Sequence, residues 1–274
     1  MLEDKRVREL QRLAKDVRKD ILQMIYSAGS GHPGGSFSIV EILITLYYEV
    51  MKLNPGDPKW PKRDRFILSK GHACAGLYAI LAGKGFFAQE ELFKFRKIGG
   101  SLQGHPDSKK VPGIEVSTGS LGQGLSVGVG MAMVAKMRKE PHRVFVLLGD
   151  GECDEGQIWE AALSAAHRRL DNLTVIIDRN GLQLDGTTEA ILKLEPLADK
   201  WSAFGWDIQE VEGHNFPELV KILAPQNLTG RPRAVIAHTV KGKGISYMEG
   251  KYEWHGGCPS KEQMKTALAE LERA

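Results

Sequence analysis

Near the amino terminus the apolar residues fall at Val7, Leu10, Leu13, Val17, Ile21 and Met24. Steps of three and four place them on one face of a helix, with the charged residues of the same stretch on the other. The helix is expected to stop at Gly29-Ser30-Gly31-His32-Pro33-Gly34-Gly35, where glycines and a proline oppose helix. A second apolar helix is expected over about 38–51, then a turn through Asn54-Pro55-Gly56-Asp57-Pro58 and a short strand at 65–68. Four further runs, 143–148, 173–177, 206–211 and 234–239, are short, β-branched and bounded by turn residues, which reads as strand. Helical stretches at 158–170 and 217–223 lie between them, and Ser260 with Gln263 forms a capping box for a last helix ending at Ala274. Strands alternating with helices imply an α/β fold, a mostly parallel sheet with helices on both faces. No repeat or low-complexity linker divides the chain, so 1–274 is expected to be a single domain.

Composition removes several alternatives. Lys and Arg number 37 against 34 Asp and Glu, and no basic tract runs beyond a few residues, so no nucleic-acid footprint is expected. Acidic residues at Glu3, Asp4, Glu9, Asp16 and Asp20 fit neither a signal nor a transit peptide, so neither is expected here, and a cytoplasmic protein is expected. The uncharged stretch 116–135 contains five glycines and several Ser, Thr and Gln. It reads as a loop and a buried helix, and no membrane association is expected. Cys74, Cys153 and Cys258 are distant and odd in number, as free thiols of a reducing compartment would be.

The candidate chemistry lies where the predicted strands end. In a parallel sheet ligands bind at the carboxyl ends of the strands. The strand at 143–148 runs into Gly149-Asp150-Gly151, and the one at 173–177 into Asp178-Arg179-Asn180-Gly181-Leu182. Asp150 and Asn180 are one β-α-β crossover apart, so their oxygens can meet around one hard cation. Mg²⁺ suits them, being octahedral, oxygen-liganded and commonly shared with phosphates. Four of the eight histidines sit in glycine-rich loops: His32, His72, His105 and His255. Imidazoles move protons near neutral pH, and glycines let backbone approach a ligand closely. His142, His167, His214 and His238 lack such surroundings and read as structural.

Six segments in order and spacing resemble the transketolases: Ser30-Gly31-His32-Pro33-Gly34, Ser69-Lys70-Gly71-His72, Gly104-His105-Pro106, Thr118-Gly119-Ser120-Leu121-Gly122-Gln123-Gly124, Gly149-Asp150-Gly151 through Asn180, and Trp254-His255-Gly256. The resemblance covers the family's amino-terminal, diphosphate-holding domain and implies the thiamine diphosphate-binding fold. It implies Asp150, Asn180 and the Leu182 carbonyl as Mg²⁺ ligands, with Ca²⁺ or Mn²⁺ as substitutes. It implies His72, Gly119, Ser120, Leu121, Gly151, Asn180, Lys241 and His255 along thiamine diphosphate. His32, His105 and His255 match histidines that meet sugar hydroxyls and shuttle protons, and Glu155 matches an acid linking two active sites across a dimer. Some family members carry proline where Ser120 stands, and the contact there is largely backbone.

The implied reaction moves a two-carbon ketol unit from a ketose phosphate to an aldose phosphate, with the cofactor storing an electron pair. Family members also need a glutamate from a pyrimidine-binding domain, which nothing in this sequence matches. The expectation is an amino-terminal subunit that requires a carboxy-terminal transketolase subunit, two of each chain assembling, with the glycines of 124–130 permitting close helix packing. The alternatives are a deoxyxylulose-phosphate synthase-like enzyme, a transketolase for an unusual sugar, and a non-catalytic cofactor-binding subunit.

Overall fold

A computed structural model describes residues 2–225 and 229–273. The helices are α1 (Asp4–Ala28), α2 (Pro33–Phe37), α3 (Val40–Thr45, prolonged by a π-helical turn Leu46–Val50), α4 (Cys74–Gly83), α5 (Gln123–Met137), α6 (Gly156–His167), α7 (Thr188–Ile191), α8 (Leu197–Ala203), α9 (Phe216–Leu223) and α10 (Lys261–Arg273). The strands are β1 (Arg65–Leu68), β2 (Val144–Gly149), β3 (Leu173–Arg179), β4 (Asp207–Glu212) and β5 (Arg233–His238). They form one sheet in the order β1-β2-β3-β5-β4, and every pairing is parallel. The fold is α/β, as the alternating pattern implied.

Both sheet faces are buried, and the residues alternate between two cores. Phe66, Phe145, Leu147, Ile176 and Val235 face the core that also contains apolar residues of α1, α3, α4 and α9. Ile67, Val146, Val175, Ile177 and Ala234 face the core built with α5, α6 and α8. Burial on both faces explains why these strands read as unbroken apolar runs. The outer strand β4 differs: Asp207, Gln209, Glu210 and Glu212 leave only Val211 of its six residues fully buried.

Local signals account for most helix ends. Gly29 closes α1 in the left-handed conformation, φ 68°, and its N–H donates to the Tyr26 carbonyl. Asn215 caps α9 through the Glu218 N–H. The capping box forms as expected: Gln263 N donates to Ser260 Oγ at 3.2 Å and Ser260 N to Gln263 Oε1 at 2.8 Å. Ala274 lies outside the described residues.

Three expectations need correction. The glycine-rich segment does contain a helix, α2, which Pro33 opens with the φ its ring already fixes. Its glycines serve packing: a Cβ on Gly34 would stand 2.7 Å from the Trp254 carbonyl oxygen, and one on Gly35 would stand 3.2 Å from Lys70 Nζ. The helix expected over 158–170 is α6, which ends at His167 because Arg169 turns left-handed at φ 52°. The helix expected to be buried, α5, is buried on one face only: Val127, Val134 and Met137 are exposed. No helix among the described residues is long and apolar enough to cross a membrane.

Candidate active site

The carboxyl ends of β1, β2, β3 and β5 converge above the sheet. Gly149 of β2 sits level with Asp178 of β3, and Asp178 with Ala237 of β5. That register places Asp150, Asn180 and the loop after β5 around one cleft of about 190 Å³, lined by Asp150, Gly151, Asn180, Leu182, Lys241 and His255 among others. Two larger cavities, of about 780 and 500 Å³, lie elsewhere, among surface loops near Lys110 and under the amino ends of the strands near Arg233. Neither gathers the carboxyl ends of the strands, where ligands of parallel sheets bind, so the smaller cleft is the candidate site.

Asp150 is buried, and its carboxylate is oriented from three sides. Oδ1 accepts from Gly151 N at 2.8 Å, while Oδ2 accepts from Gly181 N at 2.6 Å and from Arg179 Nη1 at 3.3 Å. Burial raises its pKa, and the neighbouring Asp178 charge adds to this. Asn180 donates through Nδ2 to Asp178 Oδ2 at 2.8 Å, and its Oδ1 accepts from Leu182 N. Lys241 Nζ donates to the Leu182 carbonyl at 2.9 Å. Burial beside Lys70 brings the Lys241 ammonium down to about 8.

These oxygens fit a hard divalent ion. An aspartate oxygen, an amide oxygen and a carbonyl line one pocket, leaving the remaining octahedral positions for phosphate and water. Among the described residues no cluster of three or more His, Cys, Asp or Glu could hold a metal alone. A metal here would therefore share its sphere with a ligand, as Mg²⁺ commonly does.

The loop histidines meet beside this cleft. Ring centroids are 4.9 Å apart for His72 and His255, 5.3 Å for His32 and His72, and 5.6 Å for His32 and His255; His105 lies 6.4 Å from His32. Burial, then Arg96, His105 and Lys241, lower His32 to about 4. Burial, then Lys241, His32 and Lys70, lower His255 to about 3. His72 and His105 are lowered by burial first, and then by nearby cations. All four rings are neutral near pH 7.

These shifts make stability depend on pH. The unfolded chain protonates its histidines near 6.5, whereas the folded chain resists until about 4 for His32 and about 3 for His255. Acidification below 6.5 then favours the state that binds more protons, which is the unfolded one. Urea midpoints should fall from pH 7 to pH 5, and His255→Gln should flatten that fall. A midpoint that rose on acidification would contradict the assignment.

The remaining sequence candidates have definite places. Leu121 and His72 line the cleft. Gly119, at φ 146°, lies flat against His105, where a Cβ would stand 3.0 Å from Cδ2. Ser120 is exposed outside the cleft lining, and Glu155 is exposed at the amino end of α6. His214 is structural, as expected: Nδ1 lies 2.8 Å from Glu41 and Nε2 accepts from Val240 N.

Sequence reasoning assigned no role to several supporting groups. Lys70 and Asp178 form a buried ion pair at 2.6 Å. Burial works against the Asp178 carboxylate, but Lys70 and the hydroxyls of Thr239 and Ser38 outweigh it and hold its pKa low. Glu152 is buried and accepts from Ser69 Oγ at 2.5 Å, Gly122 N at 2.9 Å and Gly149 N at 3.0 Å, tying β1, β2 and the loop before α5 together. The only sequence signal for either was a charged residue beside a motif glycine.

Comparison with known proteins agrees with this geometry. The family described as "Transketolase, thiamine diphosphate binding domain" matches residues 10–271. The chain is 46% identical over 266 residues to an apulose-4-phosphate transketolase subunit of Phocaeicola vulgatus, covering 97% of this chain and 94% of that protein. It is 47% identical over 266 residues to 6-deoxy-6-sulfo-D-fructose transketolase subunit SqwG of a Clostridium species, covering 97% of each. The crystal structure of Campylobacter jejuni transketolase superposes with a TM-score of 0.91 at 34% identity, covering 96% of this chain. The present chain spans 42% of that longer one.

Proposed function

Because the chain belongs to the transketolase family, we propose that it is the thiamine diphosphate-binding subunit of a two-chain transketolase. It would transfer a two-carbon ketol unit from a ketose phosphate to an aldose phosphate. The observation that carries this reading is one cleft joining Asp150, Asn180 and the Leu182 carbonyl to His72 and His255, with His32 against both rings.

Asp150, Asn180 and Leu182 would hold Mg²⁺, or Ca²⁺ or Mn²⁺ in its place, against the cofactor diphosphate. Gly151, Lys241 and His72 would face the diphosphate oxygens, while Gly119, Ser120 and Leu121 would lie along the cofactor. Bound thiamine diphosphate supplies the electron sink for breaking a bond next to a carbonyl. The chain's own work is to orient the ligand and move protons. His32, His105 and His255 are neutral at working pH and would meet the sugar hydroxyls, His32 and His255 as N–H donors because a cation faces each Nδ1, and His105 as the ring that would take a proton from a hydroxyl and return it.

The 274 residues would act as one diphosphate-side domain in the cytoplasm. A carboxy-terminal transketolase subunit would supply the pyrimidine-binding domain and close the cleft to water. The printed names of the Phocaeicola and Clostridium relatives, each a subunit of its enzyme, support such a partner. The exposed Val127, Val134 and Met137 on α5, beside the exposed Leu163 of α6, support self-association into an assembly of two of each chain. The names of the same relatives also favour a donor other than the common pentose phosphates.

The test is ketol transfer to ribose 5-phosphate with Mg²⁺ and thiamine diphosphate, by the chain alone and with the protein encoded beside it. Xylulose 5-phosphate, apulose 4-phosphate and 6-deoxy-6-sulfofructose serve as donors. Turnover should need both chains. Full turnover by this chain alone would refute the split assembly, and none with any donor would refute the transferase reading.

A further inference from the structure

Arg96 is one of three non-glycine residues with positive φ among the described residues, at 57°. This conformation costs an ordinary side chain free energy and persists where surroundings impose it. The imposing contact is local: Arg96 N donates to the Leu102 carbonyl at 2.8 Å, closing the 96–102 loop. The turn sends the guanidinium back towards the cleft. Nη2 lies 3.3 Å from His32 Nδ1 and Nη1 lies 3.3 Å from Ser30 Oγ. Among the described residues no carboxylate pairs with it, and its buried Nε has no partner. Gly104 makes room for it, since a Cβ there would stand 2.9 Å from Cζ, Nε and Nη2.

A guanidinium only donates, so the contact requires His32 Nδ1 to be an unprotonated acceptor. The single proton of the neutral ring is then on Nε2, at the edge lying beside Gly256. Among the described residues nothing accepts that proton, so it is available to a ligand. Lys241 Nζ stands in the same relation to His255 Nδ1, at 3.2 Å.

We propose that Arg96 is a positioning residue, fixing His32 as the Nε2–H tautomer and holding its ring against the cleft. The inference rests on the cleft being the active site, and it adds a residue to which the sequence motifs assign nothing. The charged and titratable groups around His32 are Arg96 from the 96–104 loop, His72 after β1, His105 from its own loop, and Lys241 and His255 after β5. All the permanent charge among them is positive.

The experiment has a structural and a kinetic arm. In the full chain labelled with ¹⁵N-histidine, the wild-type His32 Nδ1 should show the shift of an unprotonated acceptor. In Arg96→Met it should move towards a mixed tautomer, with the titration midpoint of His32 raised. Gly104→Ala keeps the arginine but displaces its guanidinium, so the same change at smaller amplitude is expected even if Arg96→Met folds poorly. With the partner chain present, Arg96→Met should lower kcat about tenfold to a hundredfold, the order seen when a group orienting a functional histidine is removed. KM for the ketose should change less than threefold. Adding Arg96→Met to His32→Ala should cost almost nothing more, because two residues acting through one contact are not additive. An unchanged His32 tautomer in both variants, or fully additive losses, would overturn the proposal. The ¹⁵N arm does not depend on turnover, so failure of the transketolase reading would leave it standing.

Discussion

Asp150→Ala is expected to lower ketol transfer by the proposed two-chain enzyme at least a thousandfold and to abolish any Mg²⁺ dependence of thiamine diphosphate binding. Asp150 is the one carboxylate among the proposed ligands, and its loss acts twice. A metal at this site would lose its only charged protein oxygen. The Gly151 and Gly181 N–H groups and Arg179 would also lose their shared acceptor. A thousandfold loss of rate corresponds to about 4 kcal/mol of transition-state stabilisation. Asp150→Asn separates the two effects, since the amide keeps one acceptor oxygen and the shape while losing the charge. Calorimetric titration of the cofactor with Mg²⁺ and with chelator is the direct check. Cofactor binding with an unchanged metal dependence would remove Asp150 from the metal site.

Lys70→Met is expected to destabilise the chain by about 3–5 kcal/mol, the cost of stranding one member of a buried ion pair. Both partners are essentially inaccessible, Lys70 at 2% and Asp178 at 0% exposure. The ammonium also donates to the Gly35 carbonyl at 3.1 Å, joining β1 to the glycine-rich turn of α2. Asp178 in turn accepts from Ser38 Oγ, Thr239 Oγ1 and Asn180 Nδ2. Removing the cation leaves a carboxylate buried among hydroxyl and amide donors alone. Urea denaturation of the full chain measures the loss. Lys70→Met with Asp178→Asn should recover part of it, because the uncompensated charge is then gone. A loss below about 1 kcal/mol would mean that water reaches the site and the pair is not buried in solution.

The strands were legible in the sequence because a parallel sheet buried on both faces needs unbroken apolar runs, and four of them stand between turn residues. Each observed strand begins and ends within two residues of its expected position. Helix α4 was not legible: Cys74–Gly83 is apolar all round and lies in the core, so no 3.6-residue period marks it. Helix α2 was obscured because glycine is read as a breaker, while Gly34 and Gly35 are glycines because Lys70, Lys241 and the 254 carbonyl leave no room for a Cβ. The site divided along similar lines. Asp150, Asn180 and the loop histidines could be picked out from local context. Lys70 with Asp178, and Arg96 with His32, are pairs separated by 108 and 64 residues. Their meaning lies in a partner that only the folded chain brings near.

The rim strand β4 bears on how such a protein can gather other chains safely. An unpaired strand border invites a neighbouring chain to extend the sheet indefinitely, the route to fibres. Here the border holds Asp207, Glu210 and Glu212 within six residues, so a second copy approaching it would meet its own negative charge. The opposite border, β1, is four residues long and buried over Phe66, Ile67 and Leu68. Lateral growth is therefore discouraged at both margins. Recruitment is left to the helical flanks, where apolar side chains are on offer and where contact comes to a natural stop once those flanks are covered.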